Sequence, residues 1–144
     1  MSVLRIGIPI YPTVDIIDVA APWDVLSRIP EYWSGGRVEM LLIAETCDPV
    51  LSGQSLYLTP NHSFDDCEKL DVLLVPGTQQ LEAGILTNEK YRTFIQQQAK
   101  GAQWVTSVCT GAVVLAAAGL LDGYRATTHC LAIDVLKGLS LIHI

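Results

Sequence analysis

Two kinds of hydrophobic pattern take turns along the chain. Val3 to Tyr11 is apolar at almost every position, Arg5 being the exception, and such a run predicts a strand buried on both faces of a parallel sheet. Val38 to Ala44 repeats the pattern, Asp71 to Val75 repeats it again before Pro76-Gly77, and Gln103 to Val108 predicts a fourth strand. Between them the apolar positions move to helical spacing. Asp18 to Ile29 predicts a helix that starts or kinks at Pro22. Asn88 to Lys100 predicts a second, with Tyr91, Phe94, Ile95 and Ala99 on its inner side. Ala112 to Leu121 is apolar nearly all round and predicts a buried third helix. Arg125 to Thr128 reads as a short fifth strand, and Leu131 to Lys137 opens a last helix. Residues 45 to 71 differ in kind: Val50-Leu51 and Ser55 to Leu58 flank Ser52-Gly53-Gln54 as a small hairpin, followed by polar loop. Strands alternating with helices predict an α/β domain with a doubly wound, mostly parallel sheet.

In such sheets ligands bind beyond the carboxyl ends of the strands, where strand order reverses. Asp18 follows the first predicted strand, Gly77-Thr78 the third, Cys109 the fourth and His129 the fifth. Cys109 stands at a strand-to-helix turn, the position of a nucleophile elbow, where helix amides favour thiolate and lower the thiol pKa. The same residue type is also a common buried core group. Asp18 lies among Ile16, Ile17, Val19, Ala20 and Ala21, where a carboxylate is costly unless paired or protonated. It reads as a proton donor beside the thiol or as a helix cap. His129 reads as a base or orienting group for Cys109, or as a hydrogen-bonded structural histidine. Ile16, Ile17 and Trp23 are expected as apolar pocket walls, suited to a small hydrophobic substrate.

Composition narrows the function classes. The 144 residues make one domain; half are apolar and 17% charged, which supports a real core and excludes disorder. No apolar run reaches the ~18 residues of a membrane helix, so no membrane association is expected. Nine Lys and Arg stand against fifteen Asp and Glu, for a net charge of −6, and the scattered basic residues argue against nucleic-acid contact by this segment. The first residues lack the features of a secretion signal. The four cysteines form no C-x-x-C pair and fit a reducing cytoplasm better than a zinc site or a disulfide frame. Neither a G-x-G-x-x-G nor a P-loop pattern is present.

Three blocks together resemble the DJ-1/PfpI superfamily: Ser107-Val-Cys-Thr-Gly-Ala, Ala117-Ala-Gly-Leu-Leu-Asp-Gly and Arg125-Ala-Thr-Thr-His. Ile17-Asp-Val-Ala-Ala-Pro-Trp-Asp-Val-Leu-Ser-Arg-Ile-Pro and Ser63-Phe-Asp-Asp-Cys-Glu-Lys-Leu-Asp-Val-Leu-Leu-Val-Pro-Gly look like its isonitrile hydratase branch. The resemblance runs from about Ile6 to Leu136. It implies a flavodoxin-like fold of the class I glutamine amidotransferase kind, a small-molecule substrate, no metal or organic cofactor, and a homodimer. By position it makes Cys109 the nucleophile and Asp18 its hydrogen-bonding acid. Gly77 and Thr110 supply pocket amides, and His129 stands at the pocket side. It also admits two other readings: the ligand-sensing domain of an AraC-type transcription regulator, and glyoxalase- or deglycase-like action on aldehydes. Two departures stand out. Thr78 takes the place of a usual glycine, and a side chain there is expected to alter the amide hole. The family runs past 144 residues, so a final strand and helix are expected to be missing, with an apolar face left open; Leu139-Ser-Leu-Ile-His-Ile matches nothing in the pattern.

Overall fold

A computed structural model of the chain describes residues 2–139; Ser140 to Ile144, with most of the unmatched tail, lie outside the described residues. The apolar runs form β1 (Ser2–Pro9), β2 (Gly36–Ala44), β6 (Val72–Val75) and β7 (Trp104–Ser107). β3 (Val50–Leu51) and β4 (Tyr57–Leu58) are the antiparallel hairpin, and β5 (His62–Ser63) adds an edge strand. The five-stranded sheet has the order β5-β2-β1-β6-β7 and every pairing in it is parallel.

The helices are α1 (Ile16–Ser27), α2 (Glu89–Ala99), α3 (Gly111–Ala117) and α4 (Ile133–Leu139). The step from β1 to β2 runs one way across the sheet and the step from β6 to β7 runs the other. Right-handed crossovers therefore put α1 and α2 on opposite faces. Strand order reverses between β1 and β6, which is where a ligand crevice belongs.

The core joins Ile8, Ile10, Ile43, Leu73 and Val75 of the sheet to Tyr91, Phe94 and Ile95 of α2 and Val114 and Leu115 of α3. Each fully buried aliphatic side chain contributes roughly 1.5–3 kcal/mol. α2 is capped as its sequence suggests, Asn88 Oδ1 accepting the Tyr91 N–H at 3.0 Å.

Four expectations need correction. α1 begins at Ile16, six residues before Pro22, and runs through the proline; the missing N–H leaves the Asp18 carbonyl without its helical partner. α3 ends at Ala117 instead of Leu121. Gly119 takes φ +72°, its N–H bonds Ala116 O at 2.9 Å, and Leu120 N–H bonds Leu115 O at 3.0 Å, a Schellman stop. The strand expected at Arg125 to Thr128 is reduced among the described residues to a single bridging residue, Arg125; its end turns toward Cys109, whose carbonyl accepts Thr128 Oγ1 at 3.0 Å and His129 N–H at 3.4 Å. β5 lies where polar loop was expected. Its two residues pair with Ile43 and Ala44 through main-chain groups alone.

Candidate active site

β7 leads into a sharp turn. Val108 N–H still bonds Val75 O at 3.2 Å, and Cys109 then adopts φ +53°, the left-handed region that an L residue enters at a cost. The turn closes against β6 so tightly that a Cβ on Gly111 would stand 2.1 Å from Val75 O. Only glycine fits there, and Cys109 is left half-buried at the carboxyl edge of the sheet.

Asp18, in the first turn of α1, reaches the same point. It caps nothing on its own helix; its Oδ2 accepts the Gly77 N–H at 3.0 Å from the turn after β6. A Cβ on Gly77 would meet Thr110 Oγ1 at 2.6 Å, Thr110 N at 2.7 Å and Asp18 Oδ2 at 2.8 Å, so this glycine too is required by close approach. Polar atoms of Asp15, Asp18 and Cys109 all lie within 4.8 Å of one another. That spacing would also suit the ligands of a metal ion. Asp15 is 5% exposed and is held by the hairpin, Gln54 Nε2 donating to its Oδ1 at 2.7 Å while Gln54 Oε1 accepts the Ile16 N–H at 3.0 Å.

The electrostatics follow from this crowding. Burial pushes Asp18 above the usual carboxylate range, and Asp15 pushes the same way. The Gly77 N–H, Cys109 and His129 oppose them. Burial also pushes the Cys109 thiol up, against the pull of the Thr110 N–H, with Asp18 and Asp15 adding to the rise. The expected lowering of the thiol by a helix N-terminus is therefore overturned. One amide at the head of the seven-residue α3 faces desolvation and two carboxyl groups. Acid and thiol thus share one site, and their titrations are linked.

The sequence-predicted residues fall into place unequally. A cavity of about 1100 Å³ opens at Cys109, and Asp18, Thr78, Thr110, His129, Ile16 and Ile17 line it. Trp23 does not. Val19, Trp23 and Leu26 share the inward stripe of α1 and pack on the core, whereas Ile16, Ile17 and Ala20 face the cavity. Gly77 acts through Asp18, since its amide is already spent there. Thr78 does not distort the turn: among the described residues the non-glycines with positive φ are Thr13, Ser55 and Cys109. Its N–H donates to Thr110 Oγ1 at 2.8 Å, Thr110 Oγ1 donates to its carbonyl at 2.8 Å, and its own hydroxyl donates to Thr13 O at 2.7 Å. His129 lines the cavity and caps the turn before α4, its Nδ1 accepting the Leu131 N–H at 3.3 Å, which leaves Nε2 as the donor nitrogen of a neutral ring.

Sequence reasoning missed Asp15, Gln54, Glu82, Leu131 and Val135, which also line the cavity. The available signal for Asp15 was its place just before an apolar helix; nothing local marks Gln54, whose role depends on the hairpin docking against β1's exit, with Thr13 N–H on Leu51 O and Gly53 N–H on Val14 O.

Comparison with known proteins places these features in a family. The chain is 42% identical over 139 residues to an isonitrile hydratase from Pseudomonas putida, an alignment that covers 96% of this chain and 58% of that protein. Over 85 residues it is 35% identical to the HTH-type transcriptional regulator GbdR of Pseudomonas aeruginosa, covering 58% of this chain and 23% of the regulator. Among solved structures, a ThiJ/PfpI family protein from Pseudomonas syringae superposes with a TM-score of 0.87 at 29% identity, covering 99% of this chain and 57% of that one. Drosophila melanogaster DJ-1beta superposes at 0.82 with 16% identity, covering 99% of this chain and 74% of that one, a likeness of fold. The chain thus spans a little over half the length of the isonitrile hydratase it matches. The DJ-1/PfpI family profile matches residues 4–141, and the chain belongs to that family.

Proposed function

We propose that the chain is the cysteine-bearing part of an isonitrile hydratase-like enzyme that converts an isonitrile to an N-substituted formamide. The observation that carries the reading is the left-handed Cys109 within 4.8 Å of the Asp18 carboxyl, in a chain 42% identical to an isonitrile hydratase. The Cys109 thiol gives its proton to the Asp18 carboxylate and, as thiolate, forms a bond to the terminal isonitrile carbon. Asp18 delivers its proton to that carbon, giving a thioimidate. Water adds to the same carbon and one of its protons passes to nitrogen. The C–S bond then breaks, the formamide leaves, and the second water proton restores the Asp18–Cys109 pair. One water is consumed and no electrons are transferred.

The cavity suits such a substrate. Ile16, Ile17, Leu131 and Val135 supply apolar wall, and among the described residues that line it none is Lys or Arg. Asp15, Asp18 and Glu82 make it unfavourable for an anion. A reducing cytoplasm, which keeps the thiol free, and a homodimer belong to the same reading.

A second reading has its own support in the 35% identity to an HTH-type regulator: a ligand-sensing domain that keeps the cavity and lacks turnover. The test incubates the folded protein and folded Cys109→Ala with cyclohexyl or aryl isonitrile and follows formamide by chromatography. Formamide from the parent chain alone is expected. Equal formamide from both removes the thiol from the mechanism. None from the parent, with saturable binding of a metabolite, favours the sensor. Turnover of an aldehyde instead of an isonitrile favours glyoxalase- or deglycase-like action.

A further inference from the structure

Tyr11 leaves β1 with its ring in the core and its hydroxyl at the site. It is 3% exposed, and its hydroxyl donates to the Pro76 carbonyl at 2.8 Å. Pro76 C=O and Gly77 N–H belong to one peptide group. That group is thus held at both ends: Tyr11 donates to its oxygen, and its N–H donates to Asp18 Oδ2 at 3.0 Å. The next peptide is pinned as well, Asp15 N–H bonding Gly77 O at 2.9 Å and Thr78 N–H bonding Thr110 Oγ1 at 2.8 Å.

We infer that Tyr11 is a positioning residue for Asp18, acting through the Pro76–Gly77 peptide. A donor on a peptide oxygen draws electron density from the nitrogen side and strengthens the N–H as a donor. Its direction also fixes the plane of the peptide, so the N–H stays aimed at the carboxyl oxygen. Tyr11 therefore adjusts how readily Asp18 gives up its proton without touching substrate. The groups around Asp18 are Asp15 at the head of α1, Cys109 before α3, His129 before α4 and Tyr11 itself, with Glu82 across the cavity. Of these, Tyr11 is the one that bonds the Asp18-binding peptide. This inference rests on the proposed role of Asp18 as proton donor, yet its test reads the carboxyl directly and needs no turnover.

Tyr91 supplies a matched control. It is 1% exposed, its ring meets Tyr11 edge-on at 5.1 Å, and its hydroxyl donates to Pro9 O at 2.8 Å, a carbonyl outside the site. Tyr11→Phe and Tyr91→Phe each strip one buried hydroxyl from one buried carbonyl, so their structural costs are alike.

The experiment follows the Asp18 side-chain carboxyl carbon by NMR against pH in 13C-aspartate-labelled protein, its signal assigned by loss in Asp18→Asn. Tyr11→Phe is expected to raise the Asp18 midpoint by on the order of 0.5 pH unit, about threefold in proton affinity, because a weakened N–H supports the carboxylate less. Tyr91→Phe is expected to leave it in place. An unmoved midpoint in Tyr11→Phe, or an equal shift in both variants, overturns the inference. Should Tyr11→Phe fail to fold, 3-fluorotyrosine incorporated into the Tyr91→Phe chain gives the opposite test. Its more acidic hydroxyl is a stronger donor, so the midpoint should fall, and a rise or no change overturns the inference equally.

Discussion

Cys109 stands at φ +53° without being glycine, and that strain has a measurable size. Cys109→Ala and Cys109→Gly both delete the thiol, so the difference between them isolates the backbone. An L residue in the left-handed region costs about 1–2 kcal/mol. Glycine avoids that cost but gives about 0.5–1 kcal/mol back through its freer unfolded chain. The Gly variant should therefore be the more stable of the two by about 0.5–1 kcal/mol, or roughly 3 °C in melting temperature for a domain of this size. The conformation has no easy way to relax, because Thr128 Oγ1 and His129 N–H hold the Cys109 carbonyl on one side and Gly111 is pressed against Val75 on the other. Urea titration of both variants with a shared slope gives the difference. An Ala variant as stable as the Gly variant would refute a strained elbow at this position.

Two further variants probe the same corner. Asp18→Asn should lower the pH at which Cys109 reacts with iodoacetamide, read peptide by peptide in a mass spectrometer. A unit charge at 4.8 Å is worth between about 0.9 kcal/mol in water-like surroundings and 3.5 kcal/mol at an effective dielectric of 20, so a drop of about 1 pH unit is expected. A midpoint that rises would contradict the assignment. Stability should respond too. The Asp18 carboxyl is raised in the fold, so its stabilising contribution is present below the unfolded value of 3.8 and is lost as pH rises through the folded value; Asp18→Asn should gain on the parent across that window in parallel urea melts. Gly111→Ala, which sets a methyl 2.1 Å from Val75 O, should lose about 1–3 kcal/mol or more and loosen Cys109 with it; unchanged denaturation midpoints would show that α3 can step back freely.

How far the fold could be read depended on the kind of signal. β1, β2, β6 and β7 were legible because strands buried on both faces are written as apolar runs. α2 was legible because its stripe is amphipathic and Asn88 marks its start. β5 was not, since His62 and Ser63 join the sheet through main-chain bonds that side-chain polarity does not report. Arg125 to Thr128 has strand-like composition, yet it keeps one bridging residue, Arg125, and the Thr128 hydroxyl serves the Cys109 carbonyl. The end of α3 was written at Gly119, though a glycine inside an apolar run also reads as tolerated. At the site, Cys109 and Asp18 were visible as chemistry placed after strands. Trp23 was misassigned because it lies seven residues, nearly two turns, beyond Ile16 on almost the same side of α1, and composition alone does not say where along the helix the cavity ends. Asp15, Gln54 and Tyr11 owe their roles to partners 39 to 65 residues away, which no local pattern records.

The central position of β1 has a consequence for the order in which the molecule assembles. Arg5 meets Glu39 across 34 residues on one side and Asp71 across 66 on the other, and the contact of Asp18 with Gly77 spans 59. Pairings of that reach form late and slowly, because long loops must close before any contact compensates them. Cys109 comes later still in the chain, and its surroundings need α1, the turn after β6 and the segment before α4 together. A nascent or partly opened chain therefore carries Cys109 as an ordinary thiol beside solvent. Its raised pKa arises only when the sheet closes around β1, so the rate at which that shift appears during refolding times the last step of folding.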